Sequence, residues 1–430
     1  MQLFKKLYCR TYQGVLRAAL PVLPYRKPVQ LKKVEDIADV LKEKNKDKVL
    51  LVTDSGIRGF GLTSNLENHL KENGILCVVY DKTVANPTDL NVEEAVTLYH
   101  ENDCQAIIGF GGGSSMDCAK AAGARIASPK KPLSKMEGIL KVHRKLPLLF
   151  AVPTTSGTGS EVTLASVITD HETHHKYAIT DFNLIPNYAA LDPEITRSLP
   201  PFLTACTGMD ALTHAVEAYI GRSTTKETRH DATEAVKLIV SNLREAFDNG
   251  NDMTARKNLS VAAYLAGNAF SKSYVGYVHA VAHSLSGKYN VPHGYANAVI
   301  LPYVLELYGP CIHKKLAELA IAAGIAKEDD HPARAAVAFI RMIREFNRYF
   351  NIPTCISELQ EEDIDALAVT ADREANPLYP VPRLMDAAEL KGIYEMIKEE
   401  NYDFAGNRNT GRKTKTILPK RENLGSAVPC

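Results

Sequence analysis

Four stretches in the first part of the chain are apolar with little polar alternation: KVLLVTD (48–54), ILCVVYD (75–81), AIIGFGGG (106–113) and LPLLFAVPTT (146–155). Uninterrupted Val, Ile and Leu runs of this length fit strands buried on both faces of a parallel sheet. Segments of helical length and mixed polarity lie between them, among them LTSNLENHLKENG and NVEEAVTLYHEND. This alternation predicts a doubly wound α/β domain. After LDPEITRSLPP the texture changes, and no comparable strand run returns. GMDALTHAVEAYI, RHDATEAVKLIVSNLREAFDN, ARKNLSVAAYLAGNAF and PARAAVAFIRMIREFNRYF carry helical spacing instead. The expected architecture is an α/β domain over residues 1–199, including an N-terminal extension at 1–30, and an all-α domain over 200–400. A polar, basic tail follows at 401–430. No internal repeat or low-complexity segment interrupts this order.

Composition narrows the class without changing that division. The 430 residues are 45% hydrophobic and 23% charged, as in ordinary globular proteins. A net charge of +1 gives no global field for nucleic acid or an acidic membrane, so neither is an expected partner. The eight cysteines are scattered with no CxxC pair, which fits free thiols in a reducing compartment. The N-terminal apolar run is broken by Arg17, Pro21 and Pro24, far short of the roughly 20 apolar residues of a membrane span. It reads as neither signal nor span, at most as a weakly surface-associating helix, and the expected location is cytoplasmic.

Two loops carry candidate cofactor chemistry. In GFGGGSSMDCAKAAG, Gly111, Gly112 and Gly113 permit a tight turn and close approach of a ligand. Ser114 is placed to cap the following helix, whose free N–H groups suit a pyrophosphate. The GxGxxG fingerprint is absent, and a plain glycine-rich turn is the bland alternative. AVPTTSGTGSEVT supplies Thr154, Thr155, Thr158 and Thr163 in a second loop, against the alternative of ordinary Ser/Thr turns. Two such loops after neighbouring strands favour a nucleotide site, since open α/β sheets bind ligands at the carboxyl ends of their strands. Asp54 closes the first strand. An acid there favours NAD over NADP by accepting from a ribose hydroxyl, although a helix N-cap is its commoner use.

The helical part carries candidate metal ligands. Asp210 and His214 are four apart, as are His279 and His283, so each pair shares a helix face. His293 follows shortly. One Asp with several His suits Fe²⁺ or Zn²⁺, but spacing does not decide which of His279, His283 and His293 stays off the metal. A second cluster, HETHH (His171, His174, His175), lies between SVITD and KYAITD and reads as the exposed turn of a hairpin.

In family order, GGGSSMD, PTTSGTGSEVT, TACTGMDALTHAVEAY and HAVAHSLSGKYNVPHGYANAVILP resemble the iron-containing (group III) alcohol dehydrogenase family over nearly the whole chain. The resemblance implies the two-domain fold shared with dehydroquinate synthase. It implies metal ligands at Asp210, His214, His279 and His293, with His283 an unliganded histidine near the substrate and a plausible proton relay. It places Gly112, Gly113, Ser114 and Asp117 at the pyrophosphate, and Thr154, Thr155, Thr158 and Thr163 in the second cofactor loop. Asp54, Asn86 and Lys176 fall at further cofactor-contacting positions, and Phe270 lines the cleft beside the nicotinamide. The implied activity is NAD(H)-linked oxidation of small primary alcohols or diols and reduction of the matching aldehydes. Fe²⁺ is the implied metal, Zn²⁺ the other candidate, and a homodimer the implied assembly. Rival readings are a zinc-dependent polyol dehydrogenase and a catalytically silent, partner-binding subunit. Ser284 stands where the family often has Pro, and Ala165 near where diol-oxidising relatives tend to carry Asn. Both departures bear on substrate identity.

Overall fold

The computed structural model describes residues 1, 3–173 and 175–398. His174 and the proposed tail at 401–430 lie outside them. The strands are β1 (Val29–Leu31), β2 (Lys48–Val52), β3 (Leu76–Tyr80), β4 (Ala106–Gly111), β5 (Gly138–Ile139), β6 (Leu148–Pro153), β7 (Ala165–Thr169), β8 (Lys176–Thr180) and β9 (Tyr188–Ala190). Helix α1 (Leu3–Ala19) comes first, and through the α/β part run α2 (Asp36–Glu43), α3 (Ser55–Gly59), α4 (Ser64–Glu72), α5 (Asp89–Glu101), α6 (Gly113–Ala127) and α7 (Pro193–Thr196). The rest is helical: α8 (Pro201–Ile220), α9 (Lys226–Asp248), α10 (Met253–Ser273), α11 (Tyr277–Tyr289), α12 (His293–Tyr308), α13 (His313–Ala322), α14 (Pro332–Tyr349), α15 (Ile364–Ala375) and α16 (Ala387–Lys398).

The four apolar runs form β2, β3, β4 and β6. With β1 and β9 they make a six-stranded parallel sheet in the order β1-β9-β6-β4-β2-β3. Every residue of β4 is buried, because helices cover both faces and leave no solvent side to demand alternation. One face packs Leu50, Ile107 and Leu149 with residues of α5 and α6. The other packs Leu51, Ile108 and Phe150 with residues of α2 and α4. The chain turns back between β2 and β4, and the loops after these two strands flank the crevice where such sheets bind ligands.

The short strands β1, β5 and β9 carry too few apolar residues for a pattern to reveal them. The HETHH segment does join an antiparallel pair, β7 with β8. Its His171 bonds Asp89 at 2.9 Å and its His175 bonds Glu137 at 3.0 Å, each exposed and away from the other candidate ligands.

The extension at 1–30 is more structured than the sequence division implies, and α1 joins the helical part rather than the α/β part. Cys9 belongs to the helical core. Arg10 donates to the carbonyls of Val381 and Pro382 at 2.7 and 2.9 Å, and Gln13 to those of Pro377 and Tyr379 at 3.1 and 2.7 Å. The cause is local: Cys9 and Gln13 lie four apart on one helix face, and with Leu20 just beyond the helix they turn it inward. Among the described residues no helix is long and apolar enough to cross a membrane.

A candidate metal centre at the junction of two loops and three helices

Helix α8 is buried along nearly its whole length, so its polar side chains point into protein. Asp210, His214 and Glu217 lie at i, i+4 and i+7 and form one polar stripe on that helix. Helix α11 brings His279 to the stripe, and α12 begins at His293. The approach of α12 depends on Gly294, where a Cβ would meet the Cys206 carbonyl oxygen at 2.5 Å.

Asp210, His214, His279 and His293 each offer a ligand atom, and these atoms lie within 4.8 Å of one another. Asp210 Oδ1 is 3.9 Å from His214 Nδ1, 3.8 Å from His279 Nε2 and 3.5 Å from His293 Nε2. Ligands about 2.1 Å from one ion sit roughly 3.4 Å apart in a tetrahedron, close to this spacing. His214 Nδ1 and His279 Nε2 are buried without a hydrogen-bond partner, a costly state unless a cation takes their lone pairs. Burial, with the neighbouring imidazoles, holds His279 well below its ordinary range, and burial pushes His293 down to about 3. These imidazoles are therefore neutral; His279 Nε2 is open to a metal, and His293 Nε2 has Asn297 Nδ2 3.0 Å away. A borderline divalent ion fits this donor set.

Surrounding groups fix the imidazoles. Glu217 Oε2 lies 2.6 Å from His279 Nδ1, and the same carboxylate accepts from the Gly276 and Val278 amides, each at 2.8 Å. That contact leaves His279 Nε2 facing Asp210, the carboxylate–histidine arrangement that orients metal ligands. Asn297 donates to Asp210 Oδ1 at 2.7 Å. Phe270 stacks on His214 with ring centres 4.2 Å apart.

His283 stands off the quartet. Its ring stacks on His293 at 5.0 Å, and its Nδ1 lies 2.6 Å from Glu374 Oε1, which also accepts from the Tyr379 hydroxyl at 2.7 Å. The side chain remains partly open to solvent, with Nε2 available for exchange.

The two loops meet next to this centre. Gly111 has φ +152°, and a Cβ there would lie 2.5 Å from Ser115 Oγ. Ser114 does not cap α6: the N-cap is Gly112, which has no side chain to cap with, so the first-turn amides stay open to an anion. Asp54 does cap, accepting from the Ile57 amide at 2.9 Å, and its other oxygen accepts from Ser115 at 3.2 Å across the crevice. A Cβ on Gly113 would touch the Thr158 methyl at 3.1 Å, so the loops are packed against each other. Thr155 and Thr158 are half-buried, whereas Thr154 and Thr163 are buried. Asn86 accepts from Lys176 at 2.8 Å and donates to Asn290 of the helical part at 2.9 Å.

Two braces hold the second loop, and sequence reasoning gave only one of them a role. Asp117 accepts from Ser160 Oγ at 2.8 Å and the Val167 amide at 3.0 Å, so its carboxylate faces the loop. Lys120 was not foreseen. Buried, it donates to Ser160 Oγ, Thr163 Oγ1, and the Thr163 and Ala165 carbonyls at 2.8–3.1 Å. Burial pushes its ammonium down to about 8. A lone Lys in the Ala-rich run CAKAAG was the available signal. For Glu217 it was a carboxylate three residues after a candidate ligand. Nothing local marked Glu374, which reaches His283 from a distant helix.

A parallel-sheet crevice lined by two polar loops, closing on a buried Asp/His quartet, defines a metal-dependent enzyme of two parts. Family comparison then gives the assignment. Residues 29–193 match the model for iron-containing alcohol dehydrogenase, and residues 204–398 that for the C-terminal part of the Fe-containing alcohol dehydrogenase family. The chain belongs to the iron-containing alcohol dehydrogenase family. It is 39% identical to alcohol dehydrogenase 4 of Saccharomyces cerevisiae, over 80% of this chain and 89% of that protein. It is 35% identical to the NAD-dependent methanol dehydrogenase of Bacillus methanolicus, over 79% of this chain and 89% of that protein. A crystal structure of 1,3-propanediol oxidoreductase superposes with a TM-score of 0.83 at 35% identity, over 86% of this chain and 98% of that one.

Proposed function

We propose that the protein interconverts small primary alcohols or diols with their aldehydes, using NAD(H) and one divalent iron. The α/β part, up to about residue 199, holds the cofactor, and the helical part from about residue 200 holds the metal. The observation that carries this reading is the convergence of Asp210, His214, His279 and His293 within 4.8 Å, two of their nitrogens buried and unpartnered. When bound, the divalent ion supplies Lewis acidity for a substrate oxygen, and nicotinamide supplies the hydride acceptor or donor.

This chain's residues set up the rest. Glu217 and Asn297 hold His279 and Asp210 in place. Thr155 and Thr158 are the half-buried threonines of the second loop, and the uncapped α6 amides offer donors to a pyrophosphate. Gly112, Gly113 and Ser114 shape that approach, with Asp54, Asn86 and Lys176 along the cofactor's path. Lys120 and Asp117 keep the loop in shape, with Thr154 and Thr163 packed beneath it. Phe270 backs the centre through His214. His283, fixed at Nδ1 by Glu374, exchanges the hydroxyl proton with solvent through Nε2.

A cytoplasmic location and a homodimer are the working assignments, the assembly checked by light scattering. The deciding experiment is NAD⁺ reduction across short primary alcohols and diols. It uses anaerobically Fe²⁺-loaded, chelated and Zn²⁺-loaded protein side by side. Iron-dependent NADH formation supports the reading, and faster turnover with Zn²⁺ moves it to a zinc enzyme. No turnover with any alcohol, nor with aldehydes and NADH, overturns it.

A further inference from the structure

Helix α1 has a second face that no part of the described protein covers. At 100° per residue, Cys9, Gln13 and Leu20 point inward, while Phe4, Leu7, Thr11, Val15 and Ala18 point the opposite way. That outward face is apolar and open: Phe4 is 85% exposed, Leu7 63% and Val15 65%, with Val22 at 83% just beyond the helix. From Phe4 to Ala18 the stripe runs roughly 20 Å. Isolated exposed apolar residues are ordinary, but a continuous row on one helix is not.

The stripe has a charged border. Arg10 and Arg17 fall along one edge, and the exposed Lys5 and Lys6 lie further round, nearer the inward face. Lys5 pairs with Asp372 at 2.6 Å, and Arg10 is engaged on backbone carbonyls. Lys6 and Arg17 form no ion pair among the described residues. Every charged side chain ahead of Glu35 is basic, in a chain whose net charge is only +1. The helix is held firmly in place: Cys9 is 1% exposed, and the N-terminal amine meets Asp386 at 2.5 Å. The exposed row is therefore presented on the folded enzyme and does not belong to a frayed end.

We propose that α1 docks the enzyme on an anionic lipid surface, lying in the interface plane with Phe4, Leu7, Val15 and Val22 among the acyl chains. Lys6 and Arg17 then sit at headgroup level. Rows of Phe, Leu and Val flanked by Lys and Arg bind bilayers this way. Other occupants fit less well. A second copy would set like-charged borders side by side. The tail at 401–430 is itself net basic, with Arg408, Arg412, Lys413, Lys415, Lys420 and Arg421 against Asp403 and Glu422, and so complements the border poorly. A bilayer also needs no matching groove, only an apolar row with cations beside it. Net charge alone gives no sign of such a surface, because the sum over the whole chain hides a basic N-terminus.

The test is flotation of full-length, metal-loaded protein with phosphatidylcholine vesicles, and with vesicles that also contain phosphatidylserine. The expected result is roughly tenfold stronger binding to the anionic vesicles, falling as salt rises. Phe4→Glu with Val15→Glu should abolish binding, and Lys6→Glu with Arg17→Glu should remove the preference for phosphatidylserine. Neither pair should change the melting temperature or NADH formation in solution, because all four side chains are exposed. Equal binding to both vesicles, or no binding, overturns the proposal. So does binding that survives Phe4→Glu with Val15→Glu. A wild-type assembly that Phe4→Glu alone takes apart, with no vesicle binding, assigns the face to a second copy instead.

Discussion

His283 and the four quartet residues lie side by side, yet the hydrogen bonds give them different tasks. His283 has Glu374 at one nitrogen and an open edge at the other, while His214 and His279 keep buried nitrogens with no partner. Replacing His283 with Ala should slow turnover by roughly a hundredfold or more, the usual scale of a lost acid–base group. Metal content by elemental analysis should stay at the wild-type level. Asp210→Asn should lose the metal itself. A His283→Ala protein without metal would put that residue among the ligands.

The quartet also predicts how acid acts. Burial lowers His214, His279 and His293, the last to about 3, whereas an unfolded chain protonates these groups near 6.5. Between those values the unfolded state binds more protons, so metal-free protein loses stability as pH falls below about 6.5. Melting of chelated protein at a series of pH values checks the sign, and a flat profile from pH 7 to 4 would refute it. The quartet's residues were legible because i, i+4 spacing is a local mark. Which histidine stands apart from the quartet was not, since Glu374 reaches His283 from ninety-one positions along the chain.

At the scale of elements, close crossings place the site. Gly267 sits inside α10, where Ala is normally preferred by about 1 kcal/mol. A Cβ there would meet Val162 Cγ1 at 2.6 Å and Gly159 Cα at 2.9 Å. Gly267→Ala should therefore destabilise, by roughly 1–3 kcal/mol. Gly287→Ala on α11, where a Cβ meets nothing within 4 Å, should instead stabilise by about 0.5–1 kcal/mol. Paired denaturant titrations of the two variants test the contrast, and equal shifts would defeat it. Long elements were readable because burial on both faces, or on one stripe, imposes a period. The strands β1 and β9 were not, because three residues apiece are too few to show one. Ser114 was misread as a cap for a related reason: the residue before an α-helix and the residues of its first turn look alike in a glycine-rich run.

For the whole molecule, the division near residue 200 marks a change of texture that the element order follows. It says nothing of what crosses it. Helix α1 starts the chain and packs on its later part, Asn86 reaches Asn290, and Tyr25 donates to the Ser271 carbonyl at 3.0 Å. Contacts so far apart in sequence leave no periodic trace, so the order of the parts was legible and their interlocking was not.

Gly159 is where the second loop touches α10, at φ +63° and with room for nothing larger between it and Gly267. The loop proposed to carry the cofactor thus packs directly on α10, the helix whose Phe270 stacks on His214 of the quartet. Two ligands bound on either side of such a joint are expected to be coupled through it. If the dinucleotide tightens the hold on the ion by some factor, the ion must tighten the hold on the dinucleotide by the same factor. Calorimetric titrations of NAD⁺ with and without Fe²⁺, and of Fe²⁺ with and without NAD⁺, should return one number greater than one. The enzyme would then gather its two cofactors cooperatively, the first to arrive recruiting the second.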